Sequence, residues 1–213
     1  MAMLVPMTYA RSILAPSGSP GTYHCVSRCV RRASLCGDDR ESGRTYEHRR
    51  QWVEDRIAEL ADISAVAIWG YAVMSNHLHL VVEVIPQAAE NWPAEEVAAR
   101  WLKLYSRQDQ DTTRRAETLS GNEDRIEVLR NRLCDLSWFM RCLAEPIARR
   151  ANREDGCKGH FMSMDGRYAG FAGAKTGLGS EIQVSDAAGR DDGFVGNDLR
   201  RPQSRPRQDL RQP

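Results

Sequence analysis

The sequence predicts an α+β fold, and the order of its hydrophobic periods is the reason. Runs that alternate every second residue occupy 22–30, 64–74 and 75–84, while runs at helical spacing occupy 45–63, 94–106 and 126–154. That order is strand, helix, hairpin, then helices. With 213 residues and 41% hydrophobic side chains, the chain has enough apolar material for one core carrying appendages.

The elements follow in order. A Pro/Gly/Ser-rich stretch, residues 1–21, reads as a flexible arm. "TYHCVSRCV" interleaves β-formers with small polar groups and reads as the first strand, and "RRASLCGDDRESGR" as a charged loop. In "TYEHRRQWVEDRIAELADI", Trp52, Val53, Ile57 and Leu60 fall on one helical face with charges between them. "SAVAIWGYAVM" is the second strand, and Ser75 and Asn76 turn the chain into the third, "SNHLHLVVEV".

Pro93 stands where a helix start tolerates it, and Val97, Trp101 and Leu104 mark one face of the helix that follows. "RQDQDTTRRAETLSGN" reads as a polar loop. Ile126, Leu129, Leu133, Leu136, Met140 and Leu143 then keep a helical period. Pro146 is expected to kink or restart that helix, because it has no N–H to donate and its ring crowds the preceding turn. From residue 162 the period is lost: 165–213 holds eight glycines and few large apolar residues, so 162–213 reads as a disordered tail.

Composition narrows the function classes. No run of 18 apolar residues exists, and the opening segment is too interrupted by proline and polar residues for a secretory leader. The expectation is a cytoplasmic protein with no membrane partner. Six cysteines then read as reduced thiols, and their spacing is not that of a zinc site. Of 30 basic residues only Lys103, Lys158 and Lys175 are lysines. Such an arginine excess suits phosphate recognition, and codon bias in a GC-rich genome produces the same excess.

The third strand carries the most specific signal. Side chains at i, i+2 and i+4 share a face, so His77, His79, Val81 and Glu83 point one way and Leu78, Leu80, Val82 and Val84 the other. The second set is the core side. Two imidazoles whose Cα atoms are about 7 Å apart can reach one divalent ion, and two half-exposed surface histidines would give the same pattern. Glu83, about 13 Å along the strand from His79, is a poor third ligand.

"YHCVSRC" at 23–29, "YAVMSNHLHLVVEV" at 71–84 and "GHF" at 159–161 together resemble the IS200-like transposases, in particular the branch of REP-associated tyrosine transposases. The resemblance spans residues 22–161. It implies a ferredoxin-like antiparallel sheet with helices packed on one face, and cleavage of single-stranded DNA beside hairpins by one tyrosine. It further implies Mg²⁺ or Mn²⁺ held by His77 and His79, polarising the scissile phosphate while the tyrosine forms a phosphotyrosyl link. Asn152 matches the family's asparagine and is the candidate third ligand, with Glu145 behind it. Relatives act as monomers or homodimers.

The chain departs from those relatives at the nucleophile. Where the family has tyrosines, "IARRAN" places Ile147 and Arg150, and no tyrosine occurs between Tyr105 and Tyr168. Those two are the nearest candidates. Tyr105 reads as a packing aromatic beside Trp101, and Tyr168 falls in the tail without a scaffold. After "GHF" the chain also leaves the family pattern, as a frameshift past codon 161 would produce; translating the other two frames tests that.

Arg28, Arg31 and Arg32 after the first strand, and Arg141, Arg149, Arg150, Arg153 and Lys158 around the last helix, are the candidate phosphate contacts. Asp38, Asp39, Glu145, Glu154 and Asp155 stand close enough in sequence to pair with them instead. Three functions are open: a transposase-type endonuclease and strand transferase, a descendant that binds DNA hairpins without cleaving, and an unrelated metal-dependent phosphoesterase.

Overall fold

The computed structural model describes residues 16–30, 34–40, 42–105 and 111–171, the last eight by their backbone alone. Strands β1 (Gly21–Cys29), β2 (Val66–Val73), β3 (His77–Val84) and β4 (Met162–Phe171) make one sheet in the order β2-β3-β1-β4. Every neighbouring pair is antiparallel. Helix α1 (His48–Ile63) links β1 to β2. Helices α2 (Pro86–Glu90), α3 (Ala94–Tyr105), α4 (Thr112–Ser120), α5 (Glu123–Leu133) and α6 (Leu136–Glu154) lie between β3 and β4. Each crossover therefore skips one strand of the sheet, which is the ferredoxin-like α+β arrangement.

Alternation along β3 explains how the sheet is covered. Leu78, Leu80, Val82 and Val84 are buried and meet Val53, Ile57 and Leu60 of α1 together with Phe139, Met140, Leu143 and Ile147 of α6 in one core. Each such side chain contributes about 1.5–3 kcal/mol on full burial. A second cluster joins Val97 and Ala98 of α3 to Ile126, Leu129 and Leu133 of α5 and Ile63 at the end of α1. Among the described residues no helix is long and apolar enough to cross a membrane.

Several expectations change here. The segment expected as one loop contains α4, begun by the Asp111 side chain accepting from the Arg114 N–H at 3.2 Å. No residue of α4 is buried, and Ala116 and Leu119 are its apolar contacts with the second cluster, too short a pattern to read as a helix. The long helical run breaks not at Pro146 but at Cys134 and Asp135, where Asp135 caps the new helix through the Trp138 N–H at 2.6 Å. Pro146 lies inside α6. The Cys142 carbonyl that Pro146 cannot serve accepts instead from Arg56 Nε at 3.0 Å.

Residues 162–171, expected to open the tail, form β4 along β1, from Cys29↔Met162 to Thr22↔Phe171. Backbone hydrogen bonding makes that strand, and glycine-rich sequence hides it from a periodicity argument. Positions 172–213 and 1–15 lie outside the described residues.

A buried cation closes the helix layer. Arg49, with no exposed surface, donates from Nε to Glu154 at 2.9 Å and from Nη1 to the Ser34 carbonyl at 3.0 Å, and also pairs with Asp155. Its guanidinium lies 4.0 Å over the Tyr46 ring. Five donors in a fixed fork suit a guanidinium to such a site. Gly156, at φ 64°, follows the end of α6 in the left-handed conformation that a glycine takes without penalty.

Candidate functional site

The face of the sheet opposite the core carries the histidines. His77 and His79 are partly exposed while their neighbours Leu78 and Leu80 are buried, and their ring centroids are 4.8 Å apart at 68°. The turn that delivers them is held by backbone: Cys29 N–H donates to the Asn76 carbonyl at 2.7 Å, Leu35 N–H to that of Ser75 at 2.6 Å, and Met74 N–H to that of His77 at 2.9 Å. Such anchoring keeps the rings on a rigid element.

Hydrogen bonds decide which ring nitrogens face outward. His77 Nδ1 lies 2.5 Å from Asn76 Oδ1; an amide oxygen only accepts, so Nδ1 carries the proton and Nε2 keeps its lone pair. His79 Nδ1 lies 2.9 Å from Nε2 of His24 on β1, the two rings inclined at 17°. When His79 donates in that bond, its own Nε2 is left as an acceptor, and both members of the pair offer an imidazole lone pair to one cation.

His24 is the candidate residue that the reading of the sequence missed. Its signal was present, because in the alternating strand "YHCVSRC" His24, Val26 and Arg28 share a face, and antiparallel pairing sets Val26 opposite His79 and Arg28 opposite His77.

Charge state follows from surroundings. Burial holds the His77 imidazolium below the usual range, helped by Arg28. For His79 burial acts first, then the neighbouring His77 and His24, then Arg28. Both rings are therefore neutral at neutral pH, the state that binds a metal. Imidazole nitrogens suit a borderline ion such as Mn²⁺ better than Mg²⁺, which takes oxygen ligands, so either ion would need most of its coordination from elsewhere. Among the described residues no third His, Cys, Asp or Glu completes a cluster, so the remaining positions on such an ion would belong to water or phosphate oxygens.

The other candidates lie on or just after α6. Asn152, on α6, donates from Nδ2 to the Gly159 carbonyl at 2.7 Å and so staples the turn after the helix. That turn reaches the His77 end of the sheet, since Val30 N–H donates to the Phe161 carbonyl at 2.9 Å. Glu145 is engaged by Arg149 and, at 3.6 Å, by Arg141. Arg150 lies 3.8 Å over the Trp52 ring. Arg153 and Lys158 are exposed. Of the arginines only Arg28 is shown beside the histidines; Arg31 and Arg32 lie outside the described residues.

The tyrosines divide in the same way. Tyr105 belongs to the helix layer, its hydroxyl 3.9 Å from Cys142 Sγ and its ring beside Trp101. The residue is 52% exposed, and partial desolvation of its hydroxyl, with Cys142 beside it, pushes the phenol up to about 12. Tyr168 falls within β4 rather than in an unstructured tail, next to Ala169, which pairs with His24; of Tyr168 only the backbone is described. Ile147, at a tyrosine position of the resembled family, is buried in the core.

Trp69 on β2 completes the exposed face. It is 57% exposed, and its Nε1 donates to Glu83 Oε2 at 3.2 Å. No protein-family model, no curated protein and no solved structure matches the chain.

Proposed function

We propose that the chain is a transposase-type DNA-binding protein that takes single-stranded or hairpin DNA on the exposed face of its sheet, with Mg²⁺ or Mn²⁺ between the phosphodiester backbone and the pair His77 and His79. The observation that carries this reading is the outward pair of neutral imidazoles with Arg28 across from His77 in the strand register. A bound ion would act there as a Lewis acid on a phosphate oxygen. The residues themselves orient that oxygen, and Arg28 adds the salt-dependent attraction of a guanidinium for phosphate. The cell compartment for such a partner is the cytoplasm, and the binding unit is a monomer or a homodimer.

Between a cleaving enzyme and a binder, the replacement of the tyrosines of the resembled family favours the binder. Ile147 sits in the core and Arg150 stacks on Trp52 at the two tyrosine positions, Tyr105 lies against Cys142 in the helix layer, and Tyr168 stands on β4. The test is incubation of the full chain with labelled hairpin oligonucleotides and Mn²⁺. The expected result is a retarded complex, weakened in His77→Ala, without a covalent protein–DNA band. A covalent band lost in His77→Ala assigns the endonuclease and strand-transfer activity instead, and free hydrolysed product without a covalent band assigns a phosphoesterase. Absence of any complex at low salt rejects DNA as the partner.

A further inference from the structure

We propose that Trp69 is a stacking platform for an unpaired base of the DNA strand whose backbone lies at the histidine pair. This deepens the DNA-binding reading and rests on it.

The argument begins with a large aromatic where a soluble sheet has reason to avoid one. Trp69 stands between Ile68 and Gly70, where the pairing of β2 with β3 shifts register. Ile68 and Tyr71 are buried on the core side, and the irregularity turns Trp69 away from them, as bulges beside sites commonly do. Its bond to Glu83 places it on the histidine face and holds the indole by its edge, leaving a ring face to solvent. An aromatic held in this way loses little freedom on binding.

Position relative to the histidines then selects the occupant. Gly70 pairs with Val81, two residues along β3 from His79, so Trp69 lies about 7 Å along the sheet and one strand spacing, about 5 Å, across from it. That separation is comparable with the reach from a backbone phosphate to an adjoining base. The surface between is low and apolar, formed by Val81 and Ala72. Charge runs one way across it: Arg28 stands at the histidine end, and the Glu83 carboxylate at the tryptophan end repels phosphate. A strand laid on this face would set its phosphate at the histidines and a base over the indole, and every base has a π-face for that contact.

The experiment uses the full chain and fluorescein-labelled hairpins with or without an unpaired thymidine overhang, with fluorescence anisotropy in Mg²⁺ at fixed low salt. Trp69→Ala is expected to weaken binding of the overhang hairpin by about tenfold or more, and Trp69→Phe by much less. Blunt hairpins should bind wild type and Trp69→Ala alike. Equal affinity of Trp69→Ala and wild type for the overhang overturns the platform and leaves the DNA-binding reading intact. No binding by wild type overturns both. A dimer that Trp69→Ala turns into a monomer at unchanged DNA affinity gives the face to a second copy, and also overturns the platform.

Discussion

His79 has two ring nitrogens, and the proton on the one facing His24 governs what the other can do. If His24 donates, the neutral His79 ring carries its proton on Nε2 and has no lone pair for a cation; if His79 donates, Nε2 is open. Removing His24 therefore should not touch the core, since its side chain lies on the exposed face, yet it should release the tautomer. Replacing His24 by Ala is expected to lower Mn²⁺ affinity about 10- to 100-fold, the usual effect of losing a partner that orients a ligand. Titration followed by electron paramagnetic resonance measures that loss. Long-range ¹H–¹⁵N correlation on the apo protein should show the His79 proton moving from Nδ1 toward Nε2, a change that a purely structural role for His24 would leave unmade.

For single elements, α6 holds a proline in its interior without breaking, and Arg56 is the reason offered by the geometry. A proline there forfeits one helix hydrogen bond and ordinarily costs about 3 kcal/mol. Donation from Arg56 to the Cys142 carbonyl offsets part of that. Pro146→Ala is accordingly expected to stabilise the protein, and Arg56→Met to cost about 1–2 kcal/mol more with Pro146 present than in Pro146→Ala. A four-member urea denaturation cycle reads the coupling; a coupling of zero removes the explanation. The same element shows where sequence reading stops. All six apolar positions from Ile126 to Leu143 were legible as core because burial leaves a period. The break at Asp135 was not, since capping depends on one side chain meeting one N–H, and Arg56 is distant in sequence from the carbonyl it serves.

Across the whole molecule, the legible part is what a strand or helix announces within its own residues. His77 and His79 could be set on one face by alternation alone, whereas their partner His24 required knowing that β1 lies beside β3. The hidden strand is a larger instance: β4 takes its place from the open edge of β1, and only its backbone ladder with β1 says so. A chain ended at residue 161 would leave β1 as an exposed edge, with its N–H and C=O groups unpaired. Such a truncation is expected to unfold at markedly lower urea concentration than a chain ended at residue 171, and to aggregate. Circular dichroism melts with light scattering distinguish the two, and equal behaviour of both truncations would show β4 to be dispensable.

Arg49 has a consequence for how the protein is made. Its carboxylate partner Glu154 stands 105 residues further along the chain, so during synthesis the ribosome has extended the polypeptide through β2, β3 and most of the helices before either carboxylate of the pair is present to neutralise the guanidinium. Until then it has to stay hydrated, and α1 cannot seal against the sheet. The last turn of α6 thus acts as a latch on assembly, and nascent chains stalled before it should remain open to protease near residue 49.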